Sequence, residues 1–151
     1  MSVYLGRYYT FITISFCDTN ADYDLQRKNI QKVHLIYQLI SEELSNIDRL
    51  KYVKIYNGRI KASNMLSQNG KKEPITKIGE ENIIGVELLI DIPNKIIQFY
   101  SITSSVKGYG DKMVSAIISS TPKDWEIVVV IDWSLGFWQV MAERYPRLEI
   151  F

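Results

Sequence analysis

The sequence predicts one domain of α+β class, mixed α/β in character: a central, mostly antiparallel twisted sheet with flanking helices. Three observations carry this. Apolar residues alternate with period two over 51–65 and 83–103, and a hairpin signal breaks each stretch once. Over 25–48 they recur at steps of three and four instead, which is one side of a helix. Residues 96–119 then read as a strand, a glycine-bearing turn and a helix, followed directly by the apolar run WEIVVVI at 125–131. A strand, helix, strand succession of this kind is a βαβ crossover, so its two strands lie side by side and parallel. At 151 residues, all of 1–151 is expected to form a single domain.

Composition narrows the function classes. Apolar residues make up 46% of the chain and charged residues 23%, ordinary for a globular domain. No apolar run approaches the roughly 20 residues of a membrane span, so no membrane partner is expected. Met1 to Leu5 lacks a basic start, and the apolar letters of 11–16 alternate with hydroxyls. No secretory leader is expected, and a cytoplasmic location is. The single cysteine, Cys17, rules out an internal disulfide framework. With the single histidine, His34, it leaves little for zinc or a histidine-based triad, so no metal is expected. Eighteen basic against 17 acidic residues gives a net charge of +1, too little to hold nucleic acid by bulk electrostatics.

In chain order, YLGRYYTFITISF at 4–16 is rich in β-branched and aromatic residues and predicts a first strand. A polar turn at 17–22 follows, with Asp22 or Asp24 placed to cap the helical stretch of 25–48, one helix or two short ones broken near Ser45-Asn46, whose stripe is Ile30, Val33, Tyr37, Ile40, Leu44 and Ile47. His34 lies beside that stripe as a packing residue. KYVKIY at 51–56 predicts a strand with one wet face, and Asn57-Gly58 turns it into a partner at 59–65. SQNGKKEPITKIGEE has little periodicity and reads as a mobile loop with solvated lysines. IIGVELLIDI and its partner at 96–103 form an antiparallel hairpin through Pro93-Asn94-Lys95. Ile84, Val86, Leu88 and Ile90 point one way; Ile83, Gly85, Glu87, Leu89 and Asp91 point the other. Glu87 in mid-strand needs either solvent or a polar cleft. Met113, Val114, Ile117 and Ile118 mark a short helix ended by Pro122. Ser134 can cap a last helix running to about Arg144, and 147–151 form a terminal strand.

The glycine turn is the best candidate for binding chemistry. A turn ending in Gly108-Tyr109-Gly110 can aim several backbone N–H groups at one point. A helix starting there adds its unpaired N–H groups and positive dipole end, which suits phosphate. Taken alone, the two glycines are better read as a tight strand-to-helix connection and nothing more.

The order of strand, helices, three antiparallel strands, glycine turn and helix, buried strand, helix and terminal strand resembles the GNAT superfamily of N-acetyltransferases over nearly the whole chain. IIGVELLIDIPNKIIQFYSIT resembles the central hairpin of that fold, SSVKGYGDKMVSAI its acyl-coenzyme A turn and helix, and DWSLGFWQVMAERYP its late aromatic helix. The family turn begins with a basic residue or glutamine. Aligned on Gly108 and Gly110 that position falls on Ser105, whereas aligned on Lys107 the closing small residue falls on Lys112. The resemblance implies a parallel pair that splays, at the ends of 99–103 and 125–131, around the pantetheine arm of acetyl-CoA. Lys107, Gly108, Tyr109, Gly110, Asp111 and Lys112 would lie near the pyrophosphate, with Asp111 an oddity unless its side chain turns away. An N–H near Ile102 would polarise the thioester carbonyl, with Thr103 beside it.

The implied reaction is direct attack of an amine on the thioester in a ternary complex. Glu87 would take a proton from the ammonium, and an acid would reprotonate the thiolate. The family's late-helix tyrosine is replaced by Trp138, so Tyr145 or Tyr100 would supply that proton. Asp132 and Ser134 stand where open sheets place functional residues. The acceptor would be a small amine or a protein or peptide amine, met by Asp18, Asp22, Tyr23, Asp24 and His34. Charged tRNA is a weaker partner, and a homodimer is an open assembly state. The alternative is a GNAT-like binding or inhibitory protein that has lost turnover.

Overall fold

A computed structural model describes residues 3–4, 11–12, 15–18, 21–24, 34–56, 58–67, 73–77, 81–130 and 134–151. The class is the expected one, mixed α and β, with three helices among the described residues. The strands, in chain order, are β1 (Val3–Tyr4), β2 (Phe11–Ile12), β3 (Ser15–Asp18), β4 (Ala21–Asp24), β5 (Tyr52–Tyr56), β6 (Arg59–Ser63), β7 (Ile84–Asp91), β8 (Ile96–Ser104), β9 (Glu126–Val129) and β10 (Leu148–Ile150). The helices are α1 (Leu35–Ser45), α2 (Tyr109–Ser120) and α3 (Phe137–Arg144). One mixed sheet runs β10-β9-β8-β7-β6-β5-β3-β4, and β1 pairs with β2 separately.

The N-terminal third departs from expectation. The single strand over 4–16 is instead three segments: β1 pairs antiparallel with β2, and β3 joins the main sheet beside β5. Asp22 and Asp24 lie in β4, paired with Cys17 and Ser15 of β3, and the helix start they were expected to cap lies outside the described residues. Most of the expected polar turn is therefore strand; 19–20 and the first part of the expected helix, 25–33, lie outside the described residues. The cap of α1 is His34, whose Nδ1 accepts the Ile36 N–H at 3.1 Å. That bond satisfies one of the four N–H groups a helix start leaves open, so His34 serves the helix end, and its ring also lies 6.2 Å from that of Trp125.

Beyond α1 the period-two alternation governs. Between α1 and the glycine turn lie four antiparallel strands, β5 to β8, where the resemblance counted three. Val53, Ile55, Ile60, Ala62, Ile84, Val86, Leu88, Ile90, Ile97 and Phe99 form the apolar face and are buried. Ile36, Ile40 and Leu44 of α1, with Met113, Val114 and Ile117 of α2, complete that core. Each buried Leu or Ile contributes about 1.5–3 kcal/mol relative to exposure, so this layer dominates the stability. Tyr37 ties α1 to the first hairpin, its hydroxyl accepting the Gly58 N–H at 3.1 Å. Burial pushes that phenol up, against the pull of the Gly58 hydrogen bond.

The second hairpin is closed by Asp91, which accepts from the Asn94 N–H (3.1 Å) and side-chain amide (2.9 Å). Strands β8 and β9 pair in parallel, as the βαβ pattern predicts, and β10 adds a further parallel strand. Strand β9 is shorter than the apolar run it came from: Val130 is exposed, and 131 lies outside the described residues. Arg147 locks this end, donating to the carbonyls of Ile118, Thr121, Pro122 and Trp125. It thereby satisfies carbonyls that the C-terminal end of α2 leaves open.

Two expectations about the opposite face are corrected. The face bearing Lys54 is not wet: Lys54 is 1% exposed. Nor does the polar segment after β6 behave throughout as a solvated loop. Residues 73–77 lie on the sheet, with Pro74 and Thr76 buried, Ile75 N–H donating to the Met65 carbonyl (2.9 Å) and Ser101 Oγ to the Thr76 carbonyl (3.3 Å).

Candidate functional site

Two sets of candidate residues emerge, one where β8 passes into α2 and one on the covered face of β5 to β8. In the first, Gly108 has φ +92°, the left-handed conformation in which a Cβ is strained, although an added Cβ would meet nothing within 4 Å. Gly110 serves a different need. A Cβ there would lie 2.9 Å from the Phe137 ring, so this glycine lets α2 pack closely on α3. The turn before them is held by Ser104, whose Oγ accepts the Val106 N–H at 3.3 Å and donates to the Val106 carbonyl. Lys107, Gly108 and Lys112 are exposed, whereas Tyr109 and Gly110 are buried.

The side chains around this turn are fixed by pairings that the sequence did not suggest. The Tyr109 hydroxyl donates to the Asp48 carboxylate, 2.7 and 2.8 Å from its two oxygens. The bond pushes Tyr109 up and holds Asp48 below the usual carboxylate range. Lys112 and Arg49 lie 4.4 and 5.5 Å from the centre of the Tyr109 ring, so two cations flank the start of α2. Asp111 does turn away: it accepts from the Tyr145 hydroxyl at 2.7 Å and pairs with Arg144 at 2.9 Å. Tyr145 is raised by burial first and then by that carboxylate. Its proton is committed to Asp111.

Among the described residues, the end of β8 is paired on one side only. Its parallel ladder with β9 stops at Phe99 opposite Val129, yet β8 continues antiparallel to β7 as far as Ser104. Between Ser101, opposite Glu87, and Phe99, opposite Leu88, Tyr100 is an extra residue, a bulge at the end of the parallel ladder. Bulges of this sort re-aim a backbone group or a side chain. Tyr100 is 55% exposed. Ile102 and Thr103 lie just beyond it, opposite Val86 and Gly85. Trp138 sits behind this end as a core residue, 4% exposed, its ring 4.8 Å from Phe99 and 5.0 Å from Phe137. Ser134 accepts the Trp138 N–H at 3.1 Å, and Asp132 lies outside the described residues.

On the covered face, register places Lys54 opposite Lys61 and Lys61 opposite Glu87. Glu87 is 3% exposed, and of the two readings for it the polar environment is the one found. Its Oε1 is 3.2 Å from Lys61 and its Oε2 3.3 Å from Arg59. Glu73, brought in by the crossing segment, meets Lys54 at 3.0 Å and Lys61 at 3.5 Å. Burial pulls the Lys61 ammonium down, but Glu87, Tyr56 and Glu73 together hold it above the usual lysine value. Burial works the other way on Glu73, and Lys54 and Lys61 overcome it to leave that carboxyl low. A substrate ammonium approaching Glu87 would compete with both of its cations.

Of the expected catalytic residues, then, Glu87 and Tyr100 share one neighbour, Arg59, whose guanidinium lies 5.4 Å from the Tyr100 ring centre. Tyr145 lies apart, with Asp111 on the α2–α3 side. Lys54, Arg59, Lys61 and Glu73 were missed. The two-residue hairpin at Asn57-Gly58 held the signal for the three cations, since it fixes Tyr56 opposite Arg59 and Lys54 opposite Lys61. Glu73 and the Asp48–Tyr109 pair left no comparable trace.

No known family model, curated protein or solved structure matches the chain. Among the described residues, no group of three His, Cys, Asp or Glu is placed to hold a metal, and no helix is long and apolar enough to cross a membrane.

Proposed function

We propose that this chain is a GNAT-like N-acetyltransferase that moves an acetyl group from acetyl-CoA to an amine in a ternary complex. One observation carries the reading: β8 outruns its parallel partner beyond Phe99 and leads, through a left-handed Gly108, into the open start of α2. A pantetheine arm would lie along the edge of β8 beyond Phe99, and the pyrophosphate against the N–H groups of Gly108 to Asp111, with Lys107 and Lys112 adding charge. Arg49, flanking Tyr109, joins that basic rim.

At the bulge, backbone N–H groups near Ile102 and Thr103 would face the thioester carbonyl and stabilise the developing oxyanion. The amine nitrogen forms the new N–C bond, the C–S bond breaks, and sulfur leaves with the electron pair. The proton lost from the amine passes to solvent. The thiolate takes a proton from the Tyr100 hydroxyl, for which no hydrogen-bond partner exists among the described residues. Tyr100 is favoured over Tyr145 because the latter already donates to Asp111. Glu87 holds Arg59 in this reading.

A second reading, a binding or inhibitory protein of the same fold, is favoured by the buried Trp138 at the position of the family acid and by the engaged Tyr145 hydroxyl. Thiol release from acetyl-CoA with panels of amines, peptides and charged tRNA separates the two. The transferase reading expects amine-dependent release that falls about 10²-fold or more in Tyr100→Phe, with coenzyme binding retained. Coenzyme binding without release on any acceptor would favour the second reading.

A further inference from the structure

Asp111 stands where a helix start draws a carboxylate in. Gly108 is the N-cap of α2, so Asp111 is the third residue of that helix. An acidic side chain at this position ordinarily reaches back to the N-cap N–H, and the positive end of the helix dipole favours the same return. Among the described residues, however, no side chain caps the start of α2. The Tyr109 N–H donates to the Val106 carbonyl at 3.3 Å and the Lys112 N–H to the Gly108 carbonyl at 3.1 Å, whereas those of Gly108, Gly110 and Asp111 meet no acceptor among the described residues. Both Asp111 oxygens are engaged at the end of α3 instead. Oδ1 accepts the Tyr145 hydroxyl at 2.7 Å, and Oδ2 lies 2.9 Å from Arg144 Nη1. Arg144 is 50% exposed, so solvent screens its pull. The Tyr145 ring packs against the core, which fixes its hydroxyl, and its bond to a carboxylate is the firmer tie.

We infer that Tyr145, with Arg144 beside it, is a positioning residue for coenzyme binding: it holds the Asp111 carboxylate off the α2 start and leaves those N–H groups to a phosphate. Once released, that carboxylate would take up the N-cap N–H and repel the pyrophosphate that the same groups serve. Tyr109, on the other side of Gly110, is drawn off in its turn by Asp48. The inference rests on the transferase reading, because the coenzyme supplies the phosphate.

The test compares the full chain with Tyr145→Phe and with Tyr145→Phe/Asp111→Ala, using calorimetry with acetyl-CoA and amide exchange at Gly108 without ligand. Tyr145→Phe should weaken acetyl-CoA binding about five-fold or more, the effect of a carboxylate returned to a helix start. Exchange at Gly108 should slow in the same variant, because its N–H gains an acceptor. Adding Asp111→Ala should return both readouts toward wild type, and should raise affinity more in this background than in the wild-type chain. A tyrosine that only fastened α3 to α2 would give no such recovery. Unchanged affinity and Gly108 exchange in Tyr145→Phe, or a loss of affinity that Asp111→Ala does not restore, overturns the inference. Lost turnover with coenzyme affinity intact overturns it too, and returns Tyr145 to the role of acid. If the wild-type chain binds no acetyl-CoA, the transferase reading falls and the coenzyme role of Tyr145 with it, while exchange at Gly108 still decides whether Tyr145 restrains Asp111.

Discussion

Replacing Glu87 with glutamine removes one negative charge from a buried position on the sheet and almost nothing of its shape. Glu87 is 4% exposed at the side chain and holds Lys61 at 3.2 Å and Arg59 at 3.3 Å. The Lys61 contact, on an 18% exposed ammonium, contributes about 1.5–3 kcal/mol as a charge-assisted hydrogen bond. Arg59 is 40% exposed, so solvent screening limits its share to about 0–1 kcal/mol. Glutamine keeps one acceptor oxygen and relieves the carboxylate's own desolvation, which offsets part of the loss, but leaves Lys61 and Arg59 without that negative charge. The expected destabilisation is about 2–3 kcal/mol, measured by urea unfolding near neutral pH. Lys61 supplies an independent check. Its fold-raised pKa means that its contribution is complete below the ordinary lysine range and is lost as pH rises through the higher folded value. In Glu87→Gln that alkaline loss should shrink. A variant within about 0.5 kcal/mol of wild type, with the same alkaline profile, would refute the charged ladder as a source of stability.

Other expectations concern the α2 start. Gly110→Ala puts a methyl group 2.9 Å from the Phe137 ring and should destabilise by about 1–3 kcal/mol in urea; Phe137→Leu should recover most of it, and a neutral Gly110→Ala would contradict the packing role. In Tyr109→Phe, Asp48 should titrate closer to an ordinary aspartate by NMR. The wild-type pairing is present above the usual aspartate range and lost as pH falls through the lowered value, so this acid-side dependence should shrink, with Lys112 and Arg49 still acting on Asp48; an unchanged Asp48 titration would contradict the pairing.

What was legible in the sequence follows from periodicity. The β7–β8 hairpin, the Asn57-Gly58 turn, α2 and the parallel β9 were readable because burial of one face forces a repeat of two or 3.6. Glu87 was readable as a problem, since a mid-strand carboxylate needs a partner, but its partners sit on other strands and in the crossing segment. Periodicity also misled. The alternation of KYVKIY is the same whether Lys54 faces water or is covered by residues 73–77, and those residues show no repeat because Pro74, Ile75 and Thr76 pack as irregular backbone. The α1 stripe gave no hint of a cap at His34, because capping is a local hydrogen bond that leaves the apolar pattern untouched. The site was legible as a backbone feature at Gly108. The pairings that fix its surroundings, Asp48 with Tyr109 and Asp111 with Tyr145, join positions 61 and 34 residues apart, which no local pattern encodes.

The central claim is that the end of β8 and the start of α2 cradle coenzyme A, and thermal unfolding with added acetyl-CoA tests it most directly. A ligand at about a hundred-fold excess over its Kd stabilises the folded state by about 2.7 kcal/mol. For a domain of this size that is an upward shift in Tm of about 5–10 °C. The shift should be lost in Gly108→Glu, whose carboxylate would stand where phosphate is expected. An unchanged Tm at about 1 mM acetyl-CoA would contradict the account.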